Sequence, residues 1–372
     1  MASKSLPSCK IEAIGRGRVN SSAHIIRTTS FVAIELSRYA FESLRSDKEF
    51  HLCRGRRKGE TSSFAKATED KSSRDREDVA RSSEAHEDLG PSSILFLSPV
   101  SKQPSFSTIK RLEHEYSLRD ELHPDWAIRP LALTRQDGRT VLVFEDPGSE
   151  LLERLLGQPM EPLMFLRLAI SLAAGLRMLH SRGLIHKDIK PANIFVDTLT
   201  RKIWLTGFGI SSRLTREKQA LEPPETIAGT LAYMAPEQTG RMNRSIDSRS
   251  DLYSLGVTLY QMLTGCLPFT ASDPMEWVHC HIARQPTPPV DLVANVPASV
   301  SAIIMKLLAK TAEERYQTAA GVEADLRRCL DEYLSSSGVT GVQDKIPEFP
   351  LGQHDTPNRL FIPEKLYGRE RE

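Results

Sequence analysis

Apolar and polar positions along this chain change period in an order that predicts strands first and helices afterwards. Glu49-Phe50-His51-Leu52-Cys53 alternates as a half-buried strand does, and Ile94-Leu95-Phe96-Leu97 is an apolar run of strand length. Between Ser107 and Leu122, Ile109, Leu112, Tyr116 and the set Glu115/Leu118/Leu122 fall at helical spacing. His123-Pro124 ends that helix, because the residue before a proline is driven out of the α region. Two more strands, Leu131–Thr134 and Thr140–Phe144, flank Gln136-Asp137-Gly138, a hairpin signal. From Leu163 to His180 apolar residues almost surround the helix, which predicts a core helix. Asn193–Val196 and Lys202–Leu205 form a small hairpin. Helices follow over Asp251–Leu263, Trp277–Ile282, Val300–Leu308 and Gly321–Leu334. Strands segregated ahead of helices predict an α+β chain with a small β-rich N-lobe and a larger helical C-lobe.

The segments without periodicity set the boundaries. Residues 60–92 hold Phe64, Val79 and Leu89 as their only large apolar side chains, too few to offset the entropy of ordering the stretch. A disordered insertion is therefore expected within an N-lobe of residues 37–144. The C-lobe takes residues 148–333. Residues 1–36 read as a leader: up to residue 34, Lys4, Lys10, Arg16, Arg18 and Arg27 face a single acid, Glu12. That composition suits a transit peptide or a plain disordered start. Residues 334–372 turn polar and proline-spotted (Pro347, Pro350, Pro357, Pro363), as a linker does.

Composition narrows the function classes. The chain has 372 residues, 40% hydrophobic and 26% charged, enough for one large core or two lobes. A net charge of +1 gives no global basis for nucleic-acid or membrane binding. Cys9, Cys53, Cys266, Cys280 and Cys329 form no CxxC pair and have no histidine at metal spacing. They read as reduced thiols of a cytoplasmic protein, without zinc. No apolar run reads as a membrane span of about 18 residues.

Specific chemistry enters with Leu184-Ile185-His186-Lys187-Asp188-Ile189-Lys190-Pro191-Ala192-Asn193. This stretch resembles the catalytic loop of the serine/threonine protein kinases, H-R-D-x-x-x-x-N, with a lysine two residues after the aspartate. The resemblance implies a bilobal protein-kinase fold, ATP and Mg2+ as cofactors, and a protein substrate or signalling partner. It implies that Asp188 accepts the proton of the attacking hydroxyl, that Lys190 neutralises charge on the transferred group, and that Asn193 binds the metal. Phe144, Glu145 and Asp146, with Lys190 and Asn193, would contact the nucleotide. Gly229-Thr230-Leu231-Ala232-Tyr233-Met234-Ala235-Pro236-Glu237 is similar to the segment that ends in A-P-E. Thr230 would bridge to Asp188 and Lys190, Glu237 would pair with Arg315, and Asp251 would either cap the catalytic-loop backbone or be an N-cap.

Several positions depart from the family pattern. Lys187 replaces an arginine that meets an activation-loop phosphate bidentately, so activation by loop phosphorylation is not expected. Gly207-Phe208-Gly209 stands where D-F-G opens the activation segment, and glycine has no side chain to ligate magnesium. Glu115 fits the helix glutamate that pairs with a phosphate-anchoring lysine, yet the lysine position falls near Ser98. Glu115 would then be unpaired and merely solvated. Lys102, Lys110, Asp197 and Glu115 itself are candidates for relocated roles. Gly15-Arg16-Gly17-Arg18-Val19 is a weak phosphate-loop signal. The alternative is a turn at Arg45-Ser46-Asp47-Lys48, which has no glycine.

The expected function is that of a serine/threonine kinase with impaired transfer. The alternative is a pseudokinase acting as a regulatory docking module. A small-molecule phosphotransferase fits the A-P-E segment poorly. Leu366-Tyr367-Gly368-Arg369-Glu370-Arg371-Glu372 resembles the entry to an AAA-type or related signalling ATPase, of the kind joined to histidine kinase modules beyond such a domain.

Overall fold

Two long strands joined by a glycine-free turn open the small lobe: β1 (Tyr39–Ser46) and β2 (Phe50–Arg57). Asp47 makes the turn, because its Oδ1 accepts hydrogen bonds from the backbone N–H of Glu49 and Phe50. The computed structural model describes residues 26–27, 33–34, 36–58, 91–213, 217–218, 230–242, 244–294, 296–336 and 349–356. Gly15–Val19, the terminal Leu366–Glu372 and nearly all of the expected leader and insertion lie outside those residues.

β3 (Ser93–Pro99), β4 (Pro130–Gln136) and β5 (Arg139–Glu145) complete an antiparallel sheet of order β1-β2-β3-β5-β4. Asp137 and Gly138 both have positive φ, 49° and 78°, as the two-residue hairpin between β4 and β5 requires. α1 (Phe106–Ser117) crosses the sheet, capped by Ser105, whose side chain accepts from Thr108 N–H. It stops at Ser117, short of the expected Leu122, although Leu118 and Leu122 stay buried in the turns that follow.

One irregularity of β1 shapes the site. The β1–β2 register shifts between Ser43 and Arg45, so Ser43 lies opposite Cys53 and Arg45 opposite Leu52. Leu44 is the extra residue of a β-bulge. Without it, Arg45 would share the face of Tyr39, Phe41 and Ser43. With it, Arg45 falls on the face of Leu52, towards the large lobe.

β6 (Glu150–Leu151) leads into the large lobe and pairs with β7 (Ile194–Val196), which pairs with β8 (Ile203–Leu205). α2 (Pro162–Ser181) is long and apolar enough to cross a membrane, unlike any run the sequence pattern suggested. Here it is the core helix of the large lobe, with Leu166, Leu168, Leu172, Leu176 and Leu179 buried. α3 (Ser248–Thr264) is buried along nearly its whole length. Its N-cap is Asp247, one turn before Asp251, which is thereby free for another task. α4 (Pro274–Ile282), α5 (Ala298–Leu307) and α6 (Ala319–Ser336) complete the lobe. Within the expected linker, residues 349–356 pack back on this lobe. Phe349 is buried under Arg328, and Asp355 accepts from the N–H of Gln317 and Thr318 before α6.

Candidate active site

The loop between α2 and β7 is fixed from behind by Asp251. Its two carboxylate oxygens accept hydrogen bonds from the backbone N–H of His186 and Lys187, each at 2.8 Å, and His180 Nε2 lies 2.9 Å away. Burial opposes ionisation of Asp251, but hydrogen bonding and charge from His180 win and hold its carboxyl below the ordinary range. His186, wholly buried and pushed below its usual range by that burial, hydrogen-bonds Thr206 O and packs on the Phe208 ring at 4.7 Å. Phe208 also meets Trp126 edge-on, which anchors the Gly207-Phe208-Gly209 segment under α1.

On this frame Asp188, Lys190, Asn193 and Thr230 come together. Lys190 Nζ lies 2.8 Å from Asp188 Oδ2 and donates to Thr230 Oγ1, while Thr230 N–H donates to Asp188 Oδ1 at 3.2 Å. Asn193 Nδ2 donates to the carbonyl and the Oδ2 of Asp188. Burial pushes the Asp188 carboxyl up, but the Lys190 charge and the hydrogen bonds from Lys190 and Asn193 bring it below its ordinary value. An ionised, oriented carboxylate beside an ammonium and a hydroxyl is equipped to accept a proton.

The neighbouring geometry is unusual. Arg45, delivered by the bulge, donates from Nη1 to Asn193 Oδ1 at 2.9 Å. A guanidinium only donates, so the oxygen of Asn193 must face it and the amide nitrogen must face Asp188. Asn193 is 2% exposed, and its one acceptor atom points at a cation of the protein itself. Gly207 has φ +83°, and a Cβ there would sit 2.7 Å from Asn193 Cγ. Among the described residues, no group of three His, Cys, Asp or Glu side chains is placed to hold a metal.

Glu115 is neither solvated nor paired with a lysine. It is 3% exposed, and its Oε1 accepts from the N–H of Gly207 and Phe208 at 2.9 and 3.0 Å. The β3 residue that shares its cavity is Leu97, one position before Ser98. None of the other relocation candidates reaches the site. Lys102 is exposed, Lys110 lies over the Phe106 ring, and Asp197 caps the turn at Leu199-Thr200. Burial drives the Glu115 carboxyl up to about 7, against the two amide hydrogen bonds. Between pH 4.5 and 7 the folded state then holds a proton that the unfolded state has released, so this group's contribution to stability falls as pH rises. Glu115→Gln keeps an acceptor for both amides and removes the titration. Urea unfolding should show the variant gaining roughly 2–3 kcal/mol on the parent between pH 5 and pH 8. A constant difference across that range would refute the shifted carboxyl.

Phe144, Glu145 and Asp146 do not join this cluster. Phe144 is buried with Leu44, Leu52, Leu95, Leu151 and Phe195 in one apolar cluster between the sheet and β6–β7. Glu145 ends β5, its N–H bonded to Arg129 O. The Asp146 side chain is 1% exposed, 2.8 Å from Arg54 Nε, and also accepts from Ser93 Oγ. A cavity of about 470 Å3 lies beside Glu115, Asp188, Asn193, Gly207 and Thr230, and none of Phe144, Glu145 and Asp146 lines it. Arg45, Arg54 and the packing of Leu44 escape sequence reasoning, because all three depend on the bulge or on contacts distant in sequence. The apolar residues Leu44, Leu95 and Leu97, which pack together in the small lobe, are the signal that was available.

A model of the protein kinase domain matches residues 98–326. Serine/threonine-protein kinase PknB of Mycobacterium tuberculosis is 37% identical over 170 residues, 46% of this chain and 27% of that protein. A probable serine/threonine-protein kinase PknB of Corynebacterium glutamicum is 30% identical over 266 residues, 69% of this chain and 41% of that protein. The chain therefore spans between about a quarter and two-fifths of the length of these relatives. The matched region contains the catalytic loop, the Pro236-Glu237 segment and the buried frame around Asp251, and it covers more than half of the sequence: the chain belongs to the serine/threonine protein kinase family.

Proposed function

We propose that this domain is a pseudokinase: a regulatory docking module of a signalling protein, which keeps the kinase scaffold and has lost efficient phosphoryl transfer. The family in general uses ATP and Mg2+. The observation that carries the proposal is Arg45 on Asn193 Oδ1, the atom through which the family's motif would hold magnesium. Gly207 stands where that motif has its second ligand, and Leu97 stands where a lysine would meet Glu115. Leu44, Leu95, Phe144 and Phe195 pack together in one apolar cluster of the small lobe and its junction with β7. Arg45, Asn193 and Gly207 do not fit magnesium ATP. Losing two preorganised contacts to a transition state lowers a rate by roughly 10⁴–10⁶.

The intact grouping of Asp188, Lys190 and Thr230 favours a second reading, slow transfer to a protein hydroxyl with Asp188 as base. One assay decides between the two. The chain is incubated with labelled ATP and magnesium, alone and with a generic basic protein substrate, beside Asp188→Asn. The docking reading expects the parent to incorporate no more phosphate than the variant. Incorporation that Asp188→Asn abolishes would establish the second reading instead. The partner is a signalling protein, separate or carried on the same polypeptide.

A further inference from the structure

Three arginines cross from one lobe to the other around the cleft, and together they do what a bound nucleotide does in bridging two lobes. Arg45 of β1 reaches Asn193 of the large lobe at 2.9 Å. Arg54 of β2, 3% exposed, spans the connection between the lobes: Nε lies 2.8 Å from Asp146 Oδ2, Nη2 donates to Ser149 O, and Nη1 lies 3.5 Å from Glu150 Oε1. Arg154 runs the other way, from the large lobe to Ser43 O and Leu44 O of the bulge, at 3.2 and 3.1 Å, while Nη1 holds Glu150 at 3.1 Å. Under these bridges Leu44 is pressed into the cluster with Leu52, Leu95, Phe144, Leu151 and Phe195.

We infer that this is a built-in latch: the domain holds its lobes closed with its own side chains, independently of nucleotide. Two features make the bridges strong. The Arg54–Asp146 pair is shielded from solvent on both sides, so its attraction is little screened. Arg154 donates to the two carbonyls at the bulge, Ser43 O and Leu44 O, so the latch and the bulge support each other. The closed state also keeps Glu115 on the Gly207 and Phe208 amides, which fixes α1 against the large lobe. The inference rests on the docking reading only for its purpose, a permanently presented surface; the closure stands on the geometry alone.

Hydrogen exchange on the full chain, without nucleotide, tests it. Arg54→Met strands Asp146 and can unfold the small lobe, so Arg154→Ala, at the more exposed bridge, is the working variant. In Arg154→Ala, amides of residues 43–57 and 150–156 should exchange at least tenfold faster than in the parent, with α3 amides unchanged. Adding millimolar ATP to the parent should leave the rates at 43–57 where they are. Unchanged exchange at 43–57 in Arg154→Ala, or parent exchange slowed several-fold by ATP, would overturn the latch. The transfer assay above is a separate readout: incorporation of phosphate by the parent would sink the docking reading, and the latch would still be decided by exchange in the nucleotide-free chain.

Discussion

Replacing Gly207 by aspartate, the residue that the resemblance to the D-F-G motif expects there, should destabilise this protein by about 2–4 kcal/mol and create no magnesium-dependent activity. Two costs add. The backbone at 207 has φ +83°, a left-handed conformation that penalises a side chain by about 1 kcal/mol, aspartate being among the more tolerant residues. A Cβ there would also lie 2.7–2.8 Å from the Asn193 side-chain atoms, closer than packed atoms approach. Asn193 cannot swing aside cheaply, since it is buried and tied to Arg45 on one side and to Asp188 on the other. Overpacking of this kind costs about 1–3 kcal/mol. Thermal unfolding should show the loss as a midpoint lowered by roughly 5–12 °C. Combining Gly207→Asp with Asn193→Ala should return much of it, because the two positions are in contact and their effects do not add. A stable Gly207→Asp protein that binds magnesium would show that Asn193 is free to move, and the proposed function would have to be abandoned.

How much of this was legible beforehand divides along the two lobes. The large lobe declares itself because its signals are local or carried by fixed residue types: the all-round apolar pattern of α2, and the spacing within His186–Asn193. The pairing of Glu237 with Arg315 could be read from motif order, although the two are 78 residues apart. Asp251 was ambiguous in sequence, since an acid at the start of a helix is an ordinary N-cap. The structure resolves it by giving the cap to Asp247 and the loop amides to Asp251. The small lobe was less readable. β1 lacks clean alternation, and its bulge at Leu44 inverts the facing of every residue after it. A reading that counts by twos therefore places Arg45 on the outside. The insertion before β3 hides that the strand next in chain order pairs with β2, and Leu97 beside Glu115 looks like ordinary core.

Arg315→Ala should be the most damaging of the predicted changes, costing about 3–5 kcal/mol. Its guanidinium is wholly buried and grips Glu237 with two parallel hydrogen bonds, at 2.7 and 2.9 Å. It also donates to the carbonyls of Arg249, Ala309 and Lys310, and its planar face lies against Tyr253. Truncation strands a buried carboxylate and takes one donor away from each of three carbonyls. In the parent, burial pushes the Glu237 carboxyl up, but Arg315 overrides that and holds it below its ordinary value. That stabilisation is present above the unfolded pKa and is lost as pH falls through the folded one. Without Arg315 the carboxyl must rise instead, so the deficit of the variant should shrink as the buffer is taken from pH 8 to pH 5. Glu237→Leu combined with Arg315→Met, which leaves no charge behind, should cost roughly half of the single truncation. A loss below about 1 kcal/mol in Arg315→Ala, read by urea unfolding, would contradict the buried pair. The pair ties residues 235–239 to the centre of the large lobe, and so holds the surface beside Thr230 in place. Under the proposed docking function, this frame is the part of the fold that a protein partner would touch, and Arg315 is what keeps it rigid.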